Sequence, residues 1–303
     1  MAQDKAPAKA ARMSFSEMFR RKPVPDEDAL VLSLPSVLDG AAVPPPGKAG
    51  IDLAAQAKLW LLLGSGASGK SFLARWIGGR LAEAGRLEGT LLAALDPTNR
   101  TLCDFFEDVE QPPNANPARV TTWLRELLAF VASQRTAGIV DFGGNNTSIM
   151  QLVETSPGFS DPLDQAGVAP VAAYLLSPRV DDLTLLAGFE HRGFQPKATA
   201  LILNLGRAET ADDFDAVRRH PAYKAALGRG AVEVWLPKLE PQSLALEIER
   251  KRLHFFQARD GSMDQGRKAA DISPLERVAV ADWLRAMDAS FAPVATWMPG
   301  AVP

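Results

Sequence analysis

Residues 58–81 constrain this chain more than any other stretch. Five consecutive apolar residues, Leu59, Trp60, Leu61, Leu62 and Leu63, run straight into Gly64-Ser65-Gly66-Ala67-Ser68-Gly69-Lys70-Ser71. An unbroken apolar run of that length is what a strand buried on both faces requires. Phe72, Leu73, Trp76, Ile77 and Leu81 then follow at helical spacing. The octapeptide fits G-x-x-x-x-G-K-[ST], and a strand before it with a helix after it is the context in which that pattern forms a phosphate-binding P-loop. Small residues let backbone N–H groups converge on a phosphate, and the helix N-terminus adds positive partial charge. Lys70 is expected to reach the β- and γ-phosphates of a nucleotide, and the Ser71 hydroxyl to ligate Mg²⁺.

Strand and helix patterns alternate through the rest of the chain. Strands are predicted over residues 90–95, 137–141, 171–176, 198–203 and 231–236. Asn116-Pro117 opens a helix with an N-cap and a proline at the first helical position, and Val120, Trp123, Leu124, Leu127, Leu128 and Val131 form its apolar stripe. Further helices are predicted over 180–189, 211–227 and 241–257. Residues 260–271 read as a polar loop, and Ser273-Pro274-Leu275-Glu276 opens the last helix with capping-box spacing. This alternation predicts an α/β fold, a mostly parallel sheet with helices on both faces. Residues 1–50 read as a Pro- and Ala-rich basic tail, with Arg20, Arg21 and Lys22 beside a short amphipathic segment at 14–20. Residues 51–303 then form a single nucleotide-binding domain.

Two strand ends carry acids. The strand at 90–95 leads to Asp96-Pro97-Thr98-Asn99-Arg100, and that at 137–141 ends in Asp141-Phe142-Gly143-Gly144. Ligands of open α/β sheets bind at the carboxyl ends of strands. Asp141 fits the Walker B position, contacting Mg²⁺ directly or through water, although a capping Asp would fit there too. Gly143 and Gly144 would let the loop approach the γ-phosphate. Asp96 suits either a site carboxylate or a turn before proline.

With these parts in order, residues 57–257 resemble the ParA/MinD branch of P-loop ATPases, which includes plasmid-partition and conjugation-associated members. The resemblance implies an ATP- and Mg²⁺-dependent switch. Asp96 would position the attacking water in switch I, Asp141-Phe142-Gly143-Gly144 would be switch II, and Asn204 would contact adenine. It also implies an ATP-dependent homodimer acting on a protein partner or, non-specifically, on DNA. The sequence departs from that family at Ser65, where the family carries a signature lysine that reaches the partner's nucleotide across the dimer.

Composition narrows the rest. A net charge of −3 argues against whole-surface attraction to nucleic acid. Arg250, Lys251 and Arg252 form a local basic run, but consecutive helical residues spread over about 200° of the circumference and cannot share one face. Cys103 is the only cysteine, which excludes an internal disulfide or a thiolate-rich metal site and suits a reducing cytoplasm. No apolar run has membrane-spanning length, so no membrane partner is expected. Three function classes fit: the ATP-dependent switch, a small-molecule kinase with Asp96 as general base and Arg100 as phosphate clamp, and a non-hydrolysing nucleotide-binding scaffold. Asn204-Leu205-Gly206-Arg207 lacks the Lys and Asp of a guanine-reading loop.

Overall fold

A computed structural model describes residues 43–96, 101–144, 147–261 and 272–300. The basic arm, the Pro97 to Arg100 segment with its proposed clamp, Asn145-Asn146 and most of the polar loop at 260–271 lie outside the described residues.

Strands β1 (Ala57–Leu63), β2 (Thr90–Ala94), β3 (Val109–Glu110), β4 (Ala137–Asp141), β5 (Val168–Leu176), β6 (Ala198–Asn204) and β7 (Val232–Leu236) form one sheet in the order β3-β2-β4-β1-β5-β6-β7. Every pairing is parallel. The helices are α1 (Lys70–Glu83), α2 (Pro117–Gln134), α3 (Thr147–Thr155), α4 (Ser160–Gln165), α5 (Leu183–His191), α6 (Asp215–Arg219), α7 (Pro221–Gly228), α8 (Gln242–Arg250), α9 (Phe255–Asp260) and α10 (Pro274–Phe291).

The alternation along β1 shows how the layers form. Trp60 and Leu62 face a core built with α1, α8, α9 and α10. Leu59, Leu61 and Leu63 face the opposite core, built with α2 to α7. Both faces are covered, so all five residues are fully buried, as a central parallel strand demands. The expected α/β class with helices on both faces is the fold observed. No helix among the described residues is long and apolar enough to cross a membrane.

Two expected helices are each interrupted. The helix predicted over 211–227 is a 3₁₀ turn (Ala211–Phe214) followed by α6 and α7. Pro221 cannot continue a helix and pushes the preceding His220 to an extended conformation, φ −63° and ψ 139°. The His220 Nδ1 then accepts from the Ala222 N–H at 3.2 Å and caps α7. The helix predicted over 241–257 ends at Arg250, Arg252 turns left-handed at φ 53°, and α9 starts afresh after His254. By contrast, Asn116 caps α2 and Ser273 forms the capping box of α10 as their spacing predicts. β3, α3 and α4 have no counterpart in the sequence reading.

Residues 43–50 carry no regular structure. Val43 packs against the second core, and the Gly50 N–H donates to the Pro293 carbonyl at 2.9 Å.

Leu61 is central and fully buried, whereas Leu246 is 63% exposed. Leu61→Ala should lower the unfolding free energy by about 3 kcal/mol, and Leu246→Ala by less than about 0.5 kcal/mol. Urea denaturation measures both.

Candidate phosphate-binding site

Strand register brings the site together. Leu62 lies opposite Asp141 on one side and Ala173 on the other, and Ala94 also pairs with Asp141. The residues after β1, β2, β4 and β5 therefore emerge at one edge of the sheet. Those after β1, β2 and β4 line a cavity of about 360 Å³ that includes Gly66, Lys70, Ser71, Asp96, Asp141 and Gly144.

The loop from β1 to α1 is shaped for an anion. Gly64 and Gly69 have φ of 148° and 103°, and Ala67 is left-handed at 57°. A side chain at Gly64 would come within 2.6 Å of the Leu175 carbonyl, so glycine is required there on both counts. Among the described residues, no acceptor takes the N–H groups of Gly66, Ala67, Gly69, Lys70 or Ser71. Alternating backbone hands leave such groups pointing into one concavity. Lys70 is buried and donates to the carbonyls of Gly64 (2.9 Å) and Ser65 (2.8 Å), closing the loop with its own charge. Burial pushes its ammonium below the usual value, while the carboxylates of Asp141 and Asp182 oppose that.

The Ser71 hydroxyl donates to Asp141 Oδ2 at 2.7 Å. Asp141 is only 7% exposed. Its burial raises the carboxyl to about 6, and the nearby Asp96 pushes the same way; the Ser71 hydrogen bond and Lys70 pull it down. A hydroxyl and one carboxylate are hard oxygen donors, the set that suits Mg²⁺ with water and phosphate oxygens completing its shell. The donor set and the N–H cradle therefore both fit a magnesium-bound polyphosphate.

Asp96 stands across from Asp141. A Cβ at Gly143 would lie 2.6 Å from the Asp96 Cβ, and one at Gly144 would lie 3.1 Å from the Gly66 Cα. The glycine pair thus lets the loop after β4 press against both Asp96 and the P-loop. Asn204 is buried at the end of β6 and does not line the cavity. Its amide donates to the Ser68 carbonyl at 2.7 Å, and its carbonyl accepts from Gly206 N–H at 2.9 Å.

Three further residues belong to this neighbourhood. Arg75, one turn beyond Ser71 on α1, lines the cavity at 3% exposure. Its guanidinium lies 3.5 Å from the Phe105 ring centroid and 4.9 Å from that of Phe255, and donates to the Leu253 carbonyl at 3.3 Å. Burial brings its pKa down to about 10 against the opposing charge of Glu249, which also lines the cavity. Asp182, after β5, accepts from the Ser177 N–H at 2.8 Å and the Ser177 hydroxyl at 2.6 Å, and its charge acts on the Lys70 ammonium. The rule that picked out Asp96 and Asp141, an acid just past a strand end, extends to Asp182 once β5 is known to lie beside β1. Nothing in the sequence marks Arg75, which sits within the apolar pattern of α1.

No protein-family model matches the chain, and no curated protein matches it. Solved structures similar to it include the MinC:MinD cell division protein complex of Aquifex aeolicus, at 14% identity and a TM-score of 0.40, covering 76% of this chain and 96% of that one. The MinD cell division protein of Aquifex aeolicus is similar at 14% identity and a TM-score of 0.38, with 76% and 97% covered. FtsY of Mycoplasma mycoides is similar at 16% identity and a TM-score of 0.35, with 58% and 59% covered.

The raised Asp141 carboxyl has a pH signature. The folded chain holds this proton up to about pH 6, whereas an unfolded aspartate releases it near its ordinary value of 3.8. The group's contribution to stability is thus complete below about pH 4 and lost as pH rises through about 6. Without metal, Asp141→Asn should lose this decline and be more stable than the parent at pH 7.5, by at most about 3 kcal/mol. Denaturation at pH 4.5 to 7.5 measures the difference.

Proposed function

We propose that the chain binds ATP with Mg²⁺ in this cavity and acts as a nucleotide-dependent switch on a partner macromolecule. The observation that carries the reading is the Ser71–Asp141 hydrogen bond at 2.7 Å beside the N–H cradle closed by Lys70. When bound, magnesium ATP supplies a transferable phosphoryl group and the cation that offsets its charge. The loop from Gly64 to Ser71 would hold the phosphates through the N–H groups of Gly66, Ala67, Gly69, Lys70 and Ser71, with the Lys70 ammonium neutralising their negative charge. The Ser68 N–H turns instead to the Ser65 carbonyl at 3.3 Å. Ser71 and Asp141 would hold Mg²⁺, which requires Asp141 ionised. Asp96 would orient the attacking water. Asn204 braces the cradle through Ser68, and an adenine contact would have to come from the second N–H of the same amide.

The ParA/MinD resemblance supports a role in plasmid partition or conjugative mobilisation, within the cytoplasm. It also supports an ATP-dependent homodimer, which the serine at position 65 deprives of its crossing charge. Arg250 lies 3.9 Å and Lys251 2.7 Å from Glu247, and Arg252 lies 3.5 Å from Asp104. Each cation of that run has a carboxylate within 4 Å, which favours a protein partner over DNA.

One observation favours a second reading, phosphoryl transfer to a small hydroxyl substrate. The cavity lining also includes Arg75 and Glu249, charged groups that could hold an acceptor. ATP turnover that depends on an added small alcohol would select it.

Lys70→Ala should weaken ATP binding at least about 100-fold, because the loop has no other cation. Asp96→Ala should leave binding within a few-fold and lower turnover by about 100-fold or more. Calorimetric affinity and phosphate release check these. Parent-like values in Lys70→Ala would overturn the assignment.

A further inference from the structure

Two cations line the cavity among the described residues, Lys70 in the loop and Arg75 one turn beyond Ser71. Arg75 is almost fully buried and its guanidinium packs against the rings of Phe105 and Phe255. Its N–H edge is under-used. A guanidinium offers five N–H donors. Among the described residues, Nη2 donates to the Leu253 carbonyl at 3.3 Å, and the buried Nε has no acceptor. The exposed Arg80 and Arg218 each meet a carboxylate, whereas the buried Arg75 meets none among the described residues. Glu249, whose charge acts on it, is an exposed residue of the cavity wall. A buried cation this short of acceptors is costly, and an anion in the cavity would supply the acceptors it lacks.

We propose that Arg75 is a second anion subsite of this cavity, one that holds the terminal phosphoryl group of the nucleotide and so distinguishes a triphosphate from a diphosphate. A planar fork stacked on rings keeps its N–H edge for a ligand, and that edge matches the oxygens of a phosphate. A cation on the wall, outside the loop, is what a group present in ATP and missing from ADP would need. The same side chain also reaches away from the cradle. Phe105 belongs to the stretch after β2, and Leu253 to the turn between α8 and α9, where Arg252 is left-handed. His254, the next residue, packs on Phe106 with ring centroids 4.9 Å apart. Filling or emptying the subsite would therefore act where the stretch after β2 meets the α8–α9 turn, which is where a partner would read the nucleotide state. The proposal rests on the nucleotide reading of the cavity, and holds whether the phosphoryl group passes to water or to an alcohol.

The test is calorimetric titration of the full chain, in Mg²⁺, with ADP and with the slowly hydrolysed analogue ATPγS. The parent should bind ATPγS at least about 10-fold more tightly than ADP. Arg75→Gln should bring the two affinities within about 2-fold of each other while leaving that for ADP within about 2-fold of the parent. Arg75→Lys, which keeps the charge without the fork, should keep only part of the preference. Inorganic phosphate titrated into the MgADP complex separates a free phosphoryl group from an attached one. Saturable uptake by the parent that Arg75→Gln lacks means that free phosphate suffices, and no uptake by either reserves the subsite for the attached group. Equal uptake by both, a full preference retained in Arg75→Gln, or equal weakening of ADP and ATPγS in that variant would overturn the proposal. The last result would mark a purely structural arginine. If Arg75→Gln does not fold, an undiminished preference in Arg75→Lys overturns it instead. A parent that binds both nucleotides alike overturns the subsite alone; a parent that binds neither overturns the nucleotide reading and the subsite together.

Discussion

Parallel pairing of β1 with β4 and β5 is the constraint on which the rest depends. It delivers three strand ends, and the loops that leave them, to one edge within a few ångströms of each other. From β1 comes the N–H cradle, from β4 the carboxylate that meets Ser71, and from beyond β5 the Asp182 carboxylate whose charge acts on Lys70. The strands can sit side by side only because both faces are covered, and the two cores that cover them account for the unbroken apolar run before the loop. Packing and site are thus one arrangement: the burial that stabilises the centre of the sheet also raises Asp141 and lowers Lys70 from their usual values.

Charge at this edge is finely divided. Lys70 and the loop dipoles face Asp141, Asp96 and Asp182, so without ligand the basin is not strongly cationic. A polyphosphate would meet the cradle's N–H groups first, and a divalent cation would relieve the crowding of Asp96 and Asp141. Such a site would favour a divalent cation and a polyphosphate together over either alone. The glycine pair after β4 lets this balance reach the loop after β2, since Gly143 lies against Asp96.

Much of this was legible in the sequence, for physical reasons. The run Leu59 to Leu63 and the octapeptide after it allow little but a buried strand, a tight anion-binding turn and a helix. Asp141 was visible because it ends a short β-branched run before two glycines. The broken helices were hidden because apolar periodicity continues across the breaks: Leu244, Ile248 and Phe255 share one core although a left-handed residue lies between them. His220-Pro221 does mark its break, because a proline disfavours the helical conformation of the residue before it. Asp182 and Arg75 were hidden differently. Their roles come from neighbours far along the chain, Lys70 for Asp182 and the rings of Phe105 and Phe255 for Arg75, and single-sequence spacing does not encode which strands become adjacent.

The central claim is that the cradle, Lys70 and the Ser71–Asp141 pair make one magnesium-dependent ATP site. Calorimetric titration of ATP into the unmodified chain at pH 7.5, with Mg²⁺ and then with excess chelator, tests it most directly. The account predicts one saturable site per chain, bound at least about 10-fold more tightly with Mg²⁺ than without. No saturable binding in either condition, or equal affinity in both, would contradict it.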